Sequence, residues 1–243
     1  MNEKKDSKDN LIILVGGTSK LGAALLKKYS LSNNNKIILA CRDISKFNST
    51  TSFFKQHNDI EFFKYDALLS SELELVKYIE SFQLTSTEVI YLSGMKEIGI
   101  NKIDDVIKVN FTKPILLYEI LKKNILNFSY IVIGSQGDIH SSPTTPSYNA
   151  TKKALSNYFE YAIHSHSSNH SIYFIKPWLF SSNMTNNSKL KSFLSIDVDN
   201  LASLIIKKSK GRSKFIILPR FTYYLVIILR AFSKKILYMV INK

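Results

Sequence analysis

The sequence contains one cysteine, Cys41, among its 243 residues. A lone thiol forms no internal disulfide, and the histidines have no grouping with acids that resembles a metal site. The N-terminal segment 1–10 is too polar for the apolar core of a secretory signal peptide. These absences argue against a disulfide-stapled secreted domain. We therefore expect a cytoplasmic protein without a bound metal.

Acidic residues are scarce as well, with 19 Asp and Glu against 33 Lys and Arg, which gives a formal charge of +14. Residues 207 to 243 contain no acidic side chain at all. Such an excess favours nucleic acid, anionic lipid or phosphorylated ligands as partners. No recognition-helix, zinc or aromatic RNA-binding motif accompanies the charge, so no nucleic acid partner is expected.

Long hydrophobic runs are also missing from the sequence. The most apolar segment, between Arg220 and Arg230, is too short to form a helix that spans a bilayer. It is rich in aromatic residues and flanked by basic ones, which is typical of a helix lying in the headgroup layer. A helix packed on a partner subunit has the same pattern. The segment 220–243 could therefore form either a peripheral membrane contact or a contact between subunits, and the sequence leaves both interpretations open.

Short apolar runs of strand length do recur along the chain, with helix-length stretches between most of them. This alternation predicts a doubly wound α/β fold, in which helices cover both faces of a parallel sheet. The length suits one such domain, residues 11–219, between a polar tail at 1–10 and the basic segment 220–243. The predicted strands are Leu11–Val15, Lys36–Ala40, Glu61–Lys64, Glu88–Leu92, Tyr130–Ile133, Ser171–Ile175 and Lys214–Leu218.

A glycine-rich turn follows the first predicted strand. It reads Gly16-Gly17-Thr18-Ser19-Lys20-Leu21-Gly22 and passes into a helical pattern over 20–29. Backbone amides and the helix dipole at such a turn bind a pyrophosphate group. A turn that binds no ligand can have the same letters, and it is the strand-turn-helix context that favours a dinucleotide cofactor.

The end of the second strand favours NADP(H) over NAD(H). A carboxylate at this place binds the ribose hydroxyls of NAD, whereas an arginine suits the 2′-phosphate of NADP. Here the strand leads to Arg42 without a carboxylate, and Lys20 in the turn adds a second cation. A solvated surface charge is the alternative interpretation of Arg42.

Tyr148 and Lys152 lie four residues apart on a predicted helix, so both side chains are on one face. A phenol with a pKa of about 10 is a poor acid-base catalyst at neutral pH. A neighbouring ammonium stabilises the phenolate, so we predict that Lys152 lowers the pKa of Tyr148. An exposed helical pair with the same spacing is common, and the surrounding motifs favour the catalytic interpretation.

Two further polar residues belong with this pair. Ser135 follows the apolar strand around 130–133, at the carboxyl end of the sheet where ligands bind in open α/β folds. Its hydroxyl is a candidate to hold the substrate oxygen. Asn110 lies in a mostly apolar helix and is a candidate to connect Lys152 to water, although an amide on the helix surface fits the spacing equally well.

These motifs resemble the short-chain dehydrogenase/reductase family over essentially the whole chain up to about residue 220. The resemblance implies a catalytic tetrad of Asn110, Ser135, Tyr148 and Lys152, which transfers hydride between a nicotinamide and a carbonyl or secondary alcohol. It also implies that Lys152 binds the nicotinamide ribose and that Asp66 contacts the adenine edge. The other cofactor-binding residues that it implies are Gly16, Thr18, Ser19, Lys20, Leu21, Gly22, Arg42, Ser93, Gly94, Tyr148, Pro177 and Ser182.

Three positions depart from the pattern of that family, and each touches the cofactor wall. Lys20 replaces the middle glycine of the turn, the Asn-Asn-Ala-Gly motif is changed at 91–94, and Trp178 replaces the glycine after Pro177. These departures motivate an alternative hypothesis, a non-catalytic NADP-binding regulatory or scaffold protein.

The substrate is expected to be lipophilic. The segment 181–196 is predicted to cover it and is fairly apolar, and the basic, aromatic segment 220–243 adds a membrane-like surface. A lipid-linked sugar or a long-chain keto compound suits both features. The family resemblance also implies a homo-oligomer.

Overall fold

The protein is described from a computed structural model, which covers residues 9–45, 59–82, 84–96, 102–139, 145–165, 169–178 and 195–232. Within these residues the chain forms one seven-stranded parallel sheet with the order β3-β2-β1-β4-β5-β6-β7. Each strand agrees with a predicted strand to within two residues at either end. The strands are β1 Asn10–Val15, β2 Asn35–Cys41, β3 Ile60–Lys64, β4 Ser86–Tyr91, β5 Phe128–Ile133, β6 His170–Pro177 and β7 Lys214–Leu218.

Helices connect the strands, as a parallel sheet requires. The first helix begins and ends at the residues predicted from the sequence. The described helices are α1 Lys20–Tyr29, α2 Glu72–Glu80, α3 Ile103–Ile107, α4 Lys113–Asn124, α5 Pro146–Ser165, α6 Val198–Lys208 and α7 Arg220–Phe232, with a π-helical turn at Lys108–Thr112 and a 3₁₀ turn at Gln136–Ile139. The predicted doubly wound α/β fold is confirmed.

The apolar strands are covered on both faces, and successive residues of β1 enter different cores. Ile13 packs in one core with residues of α2, α4 and α5, such as Leu117 and Phe159. Leu14 packs in the other core with residues of α1 and α6, such as Leu25 and Ile205. Burial on both faces explains why β1 reads as a continuous apolar run rather than an alternating one.

The order of the strands reverses between β1 and β4, because the chain first builds outward through β2 and β3 and then returns. The register pairs Val15 with Tyr91, so the loops that follow these two strands leave the sheet side by side. Helix connections diverge at such a point and open a crevice at the carboxyl edge of the sheet. This edge is where every described candidate site residue is found.

Helix α7 begins directly after β7 and packs lightly on the domain. Thr222 is 1% exposed, whereas Phe221, Tyr224 and Ile228 are between 53% and 64% exposed. None of the described helices has the length and apolar content needed to cross a bilayer. The side chains beyond Ile228 lie outside the described residues, as do the N-terminal residues 1–8.

Candidate active site at the carboxyl edge of the sheet

The glycine turn forms a tight connection between β1 and α1. Gly16 has a φ of 81°, and a Cβ added to it would lie 2.8 Å from the backbone nitrogen of Ser93. A Cβ on Gly22 would collide with the carbonyl oxygen of Gly17. Ser19 caps the helix by accepting a hydrogen bond of 3.1 Å from the nitrogen of Gly22. The turn therefore requires its glycines for close backbone contacts.

This turn fits a bound phosphate group. The first turn of α1 contains no acidic residue, so the positive end of the helix dipole faces the crevice without an opposing carboxylate. Ser93 and Gly94 follow β4 and are half-buried on the other side of the crevice, where Ser93 contacts Gly16. The Leu21 side chain is 3% exposed and packs in the core. Only the backbone of Leu21 is therefore available to contact a nucleotide, and the sequence motif did not predict that the side chain is buried.

The side of the crevice next to β2 carries the predicted cations. Gly16 donates a backbone hydrogen bond of 2.8 Å to Ala40 in β2, so the glycine turn lies beside the end of that strand. Arg42 follows immediately and is exposed, and so is Lys20 at the start of α1. Asp66 lies after β3, where its carboxylate accepts a hydrogen bond of 2.8 Å from the nitrogen of Leu68. Asp66 thus shapes its own turn, and its predicted contact with adenine stays a prediction.

The catalytic candidates meet where β5 ends against α5. The Ser135 hydroxyl oxygen accepts a hydrogen bond of 3.0 Å from the nitrogen of Gly137, and Ser135 also hydrogen-bonds the side chain of Tyr148. Because Gly137 is the donor in the first bond, the hydroxyl proton of Ser135 is left to donate to the phenol. Lys152 is 5% exposed, and its Nζ lies 6.0 Å from the centre of the Tyr148 ring. It donates a hydrogen bond of 2.9 Å to the carbonyl oxygen of Ile133.

The protonation of this pair differs from the prediction. Burial raises the pKa of Tyr148, the hydrogen bond from Ser135 opposes this effect, and the charge of Asp138 adds to it. Burial also lowers the pKa of Lys152 to about 8, while Asp138 acts in the opposite direction. The expected lowering of the Tyr148 pKa by Lys152 is therefore wrong for this structure. Loss of solvation outweighs an ammonium that is bound to a carbonyl oxygen rather than to the phenol.

Asn110 lies in the π-helical turn, a distortion that is frequent at functional sites. Its side chain is 1% exposed. The amide accepts a hydrogen bond of 2.8 Å from the nitrogen of Met95 and donates one of 2.7 Å to the oxygen of the same residue. A third bond of 3.3 Å reaches the Thr151 hydroxyl, next to Lys152. The side chain therefore holds the loop after β4 in place, and a direct bond from it to Lys152 is not among the described contacts.

The end of β6 closes the crevice on the side of Ser135. Pro177 is buried at the end of the strand and pairs with Leu218 of β7. Trp178 follows and is 9% exposed, and its indole nitrogen has no hydrogen-bond partner within the described part of the chain. Ser182 and most of the predicted covering segment, 181–194, lie outside the described residues.

The sequence interpretation missed charged and polar residues around the catalytic pair. Lys176 in β6 and Asp138 in the 3₁₀ turn form a buried ion pair of 2.6 Å. Gln136 is fully buried in the same turn and accepts a hydrogen bond of 2.9 Å from the Thr222 hydroxyl. Lys96 lies 5.5 Å from the centre of the Tyr148 ring. Lys176, directly after the apolar run 172–175, was the one sequence signal that pointed to any of these residues.

Several solved structures share the fold of this chain. A short-chain type dehydrogenase/reductase from Mycobacterium ulcerans matches with a TM-score of 0.74 at 12% identity, over 96% of this chain and 98% of its own. A short chain dehydrogenase from Burkholderia cenocepacia in complex with NADP gives 0.72 at 15% identity, over 95% and 97%. An alcohol dehydrogenase from the archaeon Thermococcus sibiricus, complexed with 5-hydroxy-NADP, gives 0.69 at 13% identity, over 86% and 95%.

No protein-family model matches the sequence, and no curated protein does. The likeness is therefore one of tertiary structure, and it extends over 86% to 96% of this chain and 95% to 98% of the solved structures. It confirms at the level of the fold the resemblance that the motifs had indicated. This chain has the fold of the short-chain dehydrogenases/reductases.

Proposed function

We propose that the protein is an NADP(H)-dependent oxidoreductase that interconverts a carbonyl group and a secondary alcohol. The observation that carries this proposal is the meeting of Ser135, Tyr148 and Lys152 beside a glycine turn that fits a phosphate group. The solved structures of the same fold include dehydrogenases in complex with NADP, which supports the same class of activity. The single cysteine agrees with a reducing cytoplasm as the compartment.

Each residue of the group has a distinct task in this proposal. Tyr148 gives a proton to the substrate oxygen during reduction and takes one during oxidation. Ser135 hydrogen-bonds the phenol and holds the substrate oxygen beside it. Lys152 supplies positive charge near the phenol, and Asn110 keeps the loop after β4 in position through Met95.

The nicotinamide nucleotide supplies the hydride when it is bound. The backbone of the turn Gly16–Gly22 would hold its pyrophosphate, with Ser93 and Gly94 across the crevice. Arg42 and Lys20 are exposed cations beside that turn, and they favour the additional phosphate of NADP over the free ribose of NAD. Pro177 and Trp178 would line the nicotinamide end, and Asp66 the adenine end.

A lipophilic or lipid-linked substrate extends the proposal. Helix α7 starts next to the catalytic edge, because Leu218 pairs with Pro177. Phe221, Tyr224 and Ile228 lie at positions i, i+3 and i+7, so one exposed face of the helix is apolar. No acidic residue occurs from 207 to 243. An apolar face within a basic segment suits the surface of an anionic membrane, from which the site would take its substrate.

Vesicle flotation tests the membrane contact. The protein is mixed with phosphatidylcholine vesicles that contain or lack phosphatidylglycerol, at low and at high salt. We expect binding only to the anionic vesicles, weaker at high salt and lost in the double variant Phe221→Ser/Tyr224→Ser. Tyr161→Ser is the matched control, because Tyr161 is 73% exposed on a different helix, α5. Unchanged binding of the double variant would rule out this face, and α7 would then be examined as a contact between subunits of a homo-oligomer.

The alternative function is a regulatory or scaffold protein that binds NADP without turnover. One observation favours it: a buried tryptophan, Trp178, stands where the resembling family has glycine. Two measurements, nucleotide binding and hydride transfer, distinguish the oxidoreductase from the regulatory protein. Both functions require nucleotide binding, and only the oxidoreductase requires hydride transfer.

The decisive experiment combines nucleotide titration with turnover. Quenching of the single tryptophan fluorescence follows NADPH and NADH binding, and NADPH oxidation is followed with phenanthrenequinone and diacetyl as carbonyl probes. We expect tighter binding of NADPH than NADH, together with turnover that falls at least ~1,000-fold in Tyr148→Phe while nucleotide affinity is kept. Binding without turnover of any carbonyl would favour the regulatory function. Absence of binding would overturn both.

A further inference from the structure

Gln136 is a fully buried amide that directly follows Ser135 in the chain. It begins the 3₁₀ turn at Gln136–Ile139, at the carboxyl edge of the sheet. Burying an amide away from water is costly unless its hydrogen bonds are made. A network in which every polar group is paired holds one arrangement rigidly. The partners of this amide therefore show which parts of the fold it fixes together.

The side-chain nitrogen of Gln136 binds the ends of two strands. It lies 3.3 Å from the carbonyl oxygen of Lys176 in β6, and 3.1 Å and 3.3 Å from those of Leu218 and Pro219, where β7 ends. A carbonyl oxygen only accepts hydrogen bonds, so three of them around this nitrogen fix which way the amide points. The ends of β6 and β7 are thereby attached to the turn that begins at Gln136.

The side-chain oxygen of Gln136 binds helix α7. The Thr222 hydroxyl, on the buried side of that helix, lies 2.9 Å from this oxygen. The same hydroxyl lies 2.8 Å from the carbonyl oxygen of Pro219, which also has the Gln136 nitrogen as a donor. Among the described contacts the Gln136 oxygen has only the hydroxyl as a donor, so the Thr222 proton belongs to this bond. Helix α7 is thus attached to the turn without the use of its exposed face.

The turn also touches both Ser135 and Tyr148. The backbone nitrogen of Gly137 donates a hydrogen bond of 3.0 Å to the Ser135 hydroxyl oxygen, and Ser135 hydrogen-bonds the phenol. A Cβ built on Gly137 would lie 3.1 Å from that hydroxyl oxygen and 4.0 Å from Cε1 of Tyr148. A displacement of the turn would therefore move the hydroxyl relative to the phenol.

A second contact attaches the same turn to β6. The Lys176 Nζ and the Asp138 Oδ2 are 2.6 Å apart, and both side chains are buried. Desolvation of such a pair costs about as much as the attraction returns, so the pair fixes a geometry more than it adds stability. The turn is thus held from its first residue, Gln136, and from its third, Asp138. The hydrogen bond from Thr222 goes to Gln136, which makes Gln136 the residue through which α7 holds the turn.

We propose that Gln136 is a positioning residue of the catalytic site, through which α7 and the ends of β6 and β7 hold the Ser135 hydroxyl against Tyr148. Gln136 acts through the backbone of the turn, where Gly137 donates to Ser135. Helix α7 is then part of the catalytic unit as well as a surface helix. The effect on turnover rests on the proposed function, but the placement of the hydroxyl is measurable without any substrate.

The first test follows the Tyr148 phenol by NMR, with carbon-13 at the tyrosine Cζ and the signal assigned through Tyr148→Phe. Ser135→Ala removes the hydrogen bond to the phenol and defines the shift that its loss produces. Gln136→Met keeps the length of the side chain without its amide, and we expect it to move the signal in the same direction. Thr222→Val should move the signal less. Thr222→Ser keeps the hydroxyl and should return the signal to the wild-type position.

Turnover of NADPH with phenanthrenequinone is the second readout. A small misplacement of a catalytic group lowers kcat, and here the Asp138–Lys176 pair still holds the turn. We therefore expect kcat to fall about 10-fold in Gln136→Met and about 3-fold in Thr222→Val, with NADPH affinity unchanged by fluorescence titration. Thr222→Ser should recover most of the kcat that Thr222→Val loses.

Tyr118→Phe is the matched control. Tyr118 is 2% exposed, and its hydroxyl lies 3.0 Å from Nε2 of His170, at the opposite, amino edge of the sheet. The variant should unfold at a lower urea concentration, as Thr222→Val should, but leave kcat and the Tyr148 signal unchanged. A fall in kcat as large as that of Thr222→Val would assign the effect to general destabilisation and overturn the inference.

The NMR result separates this inference from the proposed function. An unmoved Tyr148 signal in Gln136→Met would overturn the inference even if the wild type is an active reductase. A moved signal in a protein that turns over no carbonyl would support the positioning role and count against the proposed function instead. If Gln136→Met fails to fold, the two variants of Thr222 decide, and identical signals in Thr222→Val and Thr222→Ser would overturn the inference.

Discussion

On the β1–β2 side of the crevice, the candidate site groups are backbone amides and exposed cations, whereas on the β5–β6 side they are buried side chains. Arg42 and Lys20 are exposed. Lys152 and Lys176, in contrast, are 5% and 4% exposed. Both sides belong to the same edge of one sheet, so the difference does not come from topology. It agrees with the different tasks that the proposed function gives to the two sides.

In the proposed function, the β1–β2 side binds the nucleotide and requires a tight shape, whereas the β5–β6 side carries out proton transfer and requires shifted pKa values. A pyrophosphate group is bound by amides that any sequence provides, once glycines allow a sufficiently tight turn. Proton transfer requires groups whose pKa values are moved by burial and by neighbouring charges. Burial lowers the pKa of Lys152, so folding disfavours its charged form, and in the proposed function the β5–β6 side is where activity opposes stability. The predictions that follow test this contrast from the largest expected effect to the smallest.

The shape requirement of the nucleotide side is tested by Gly16→Ala. Gly211 has nearly the same conformation, with a φ of 76° against 81°, but a Cβ there would meet nothing within 4 Å. We expect Gly211→Ala to cost about 1 kcal/mol for the backbone conformation alone. Gly16→Ala should cost about 3 kcal/mol or more, because its Cβ also collides with Ser93, and it should abolish NADPH binding. Urea unfolding measures the loss of stability, and fluorescence titration measures NADPH binding. An equal loss of stability in Gly16→Ala and Gly211→Ala would show that the approach of Ser93 to Gly16 adds no cost.

The burial cost of the catalytic side is tested by Lys152→Met. The pKa of Lys152 is about 8 in the folded protein against about 10.4 in the unfolded chain, so the charged form is disfavoured by folding. At pH 7 the variant should gain about 1 to 3 kcal/mol in the free energy of unfolding while losing activity.

The pH dependence of that gain has a definite sign. Between pH 8 and 10.4 the unfolded wild type binds more protons than the folded form, so wild-type stability rises with pH. The advantage of Lys152→Met should therefore shrink over this window. Lys153→Met, at an exposed neighbour, is the control and should change little at any pH. A loss of stability in Lys152→Met at pH 7 would mean that the bond to Ile133 outweighs desolvation.

The packing of α7 against the 3₁₀ turn at Gln136–Ile139 is tested by Thr222→Val. Thr222 is 1% exposed and donates to the side-chain oxygen of Gln136 at 2.9 Å. Valine keeps the shape but leaves that buried oxygen without this donor, so we expect a loss of about 1 to 2 kcal/mol. Thr85→Val removes a similar bond at an exposed position and should cost less than about 0.5 kcal/mol. A similar cost at both sites would show that α7 is not anchored through Gln136.

The smallest effect is expected from Arg42→Ala, because its charge is exposed to solvent. The variant should bind NADPH about 10-fold more weakly and NADH almost unchanged, without loss of stability. Fluorescence titration at two salt concentrations measures both affinities. An equal loss for both nucleotides would place Arg42 at the pyrophosphate rather than at the ribose phosphate.

Sequence reasoning performed best where the determinants are local. The seven strands and helix α1 follow from apolar runs and from a glycine turn, and the pairing of Tyr148 with Lys152 follows from helical spacing. It performed worse where burial matters. The Leu21 side chain is buried in the core, and the Asn110 amide makes its two shortest hydrogen bonds to the backbone of Met95.

By itself, then, the sequence determined the succession of strands and helices along the chain, the position of the glycine turn and the spacing of Tyr148 and Lys152. These features depend on residues that are close to one another in the chain. Only the tertiary structure decided that Asp138 pairs with Lys176, that Gln136 reaches Leu218, and that the pKa of Tyr148 is raised. These features arise where distant segments pack together and exclude water. Solvation and pairing are properties of that packed environment, and no local pattern of residues encodes them.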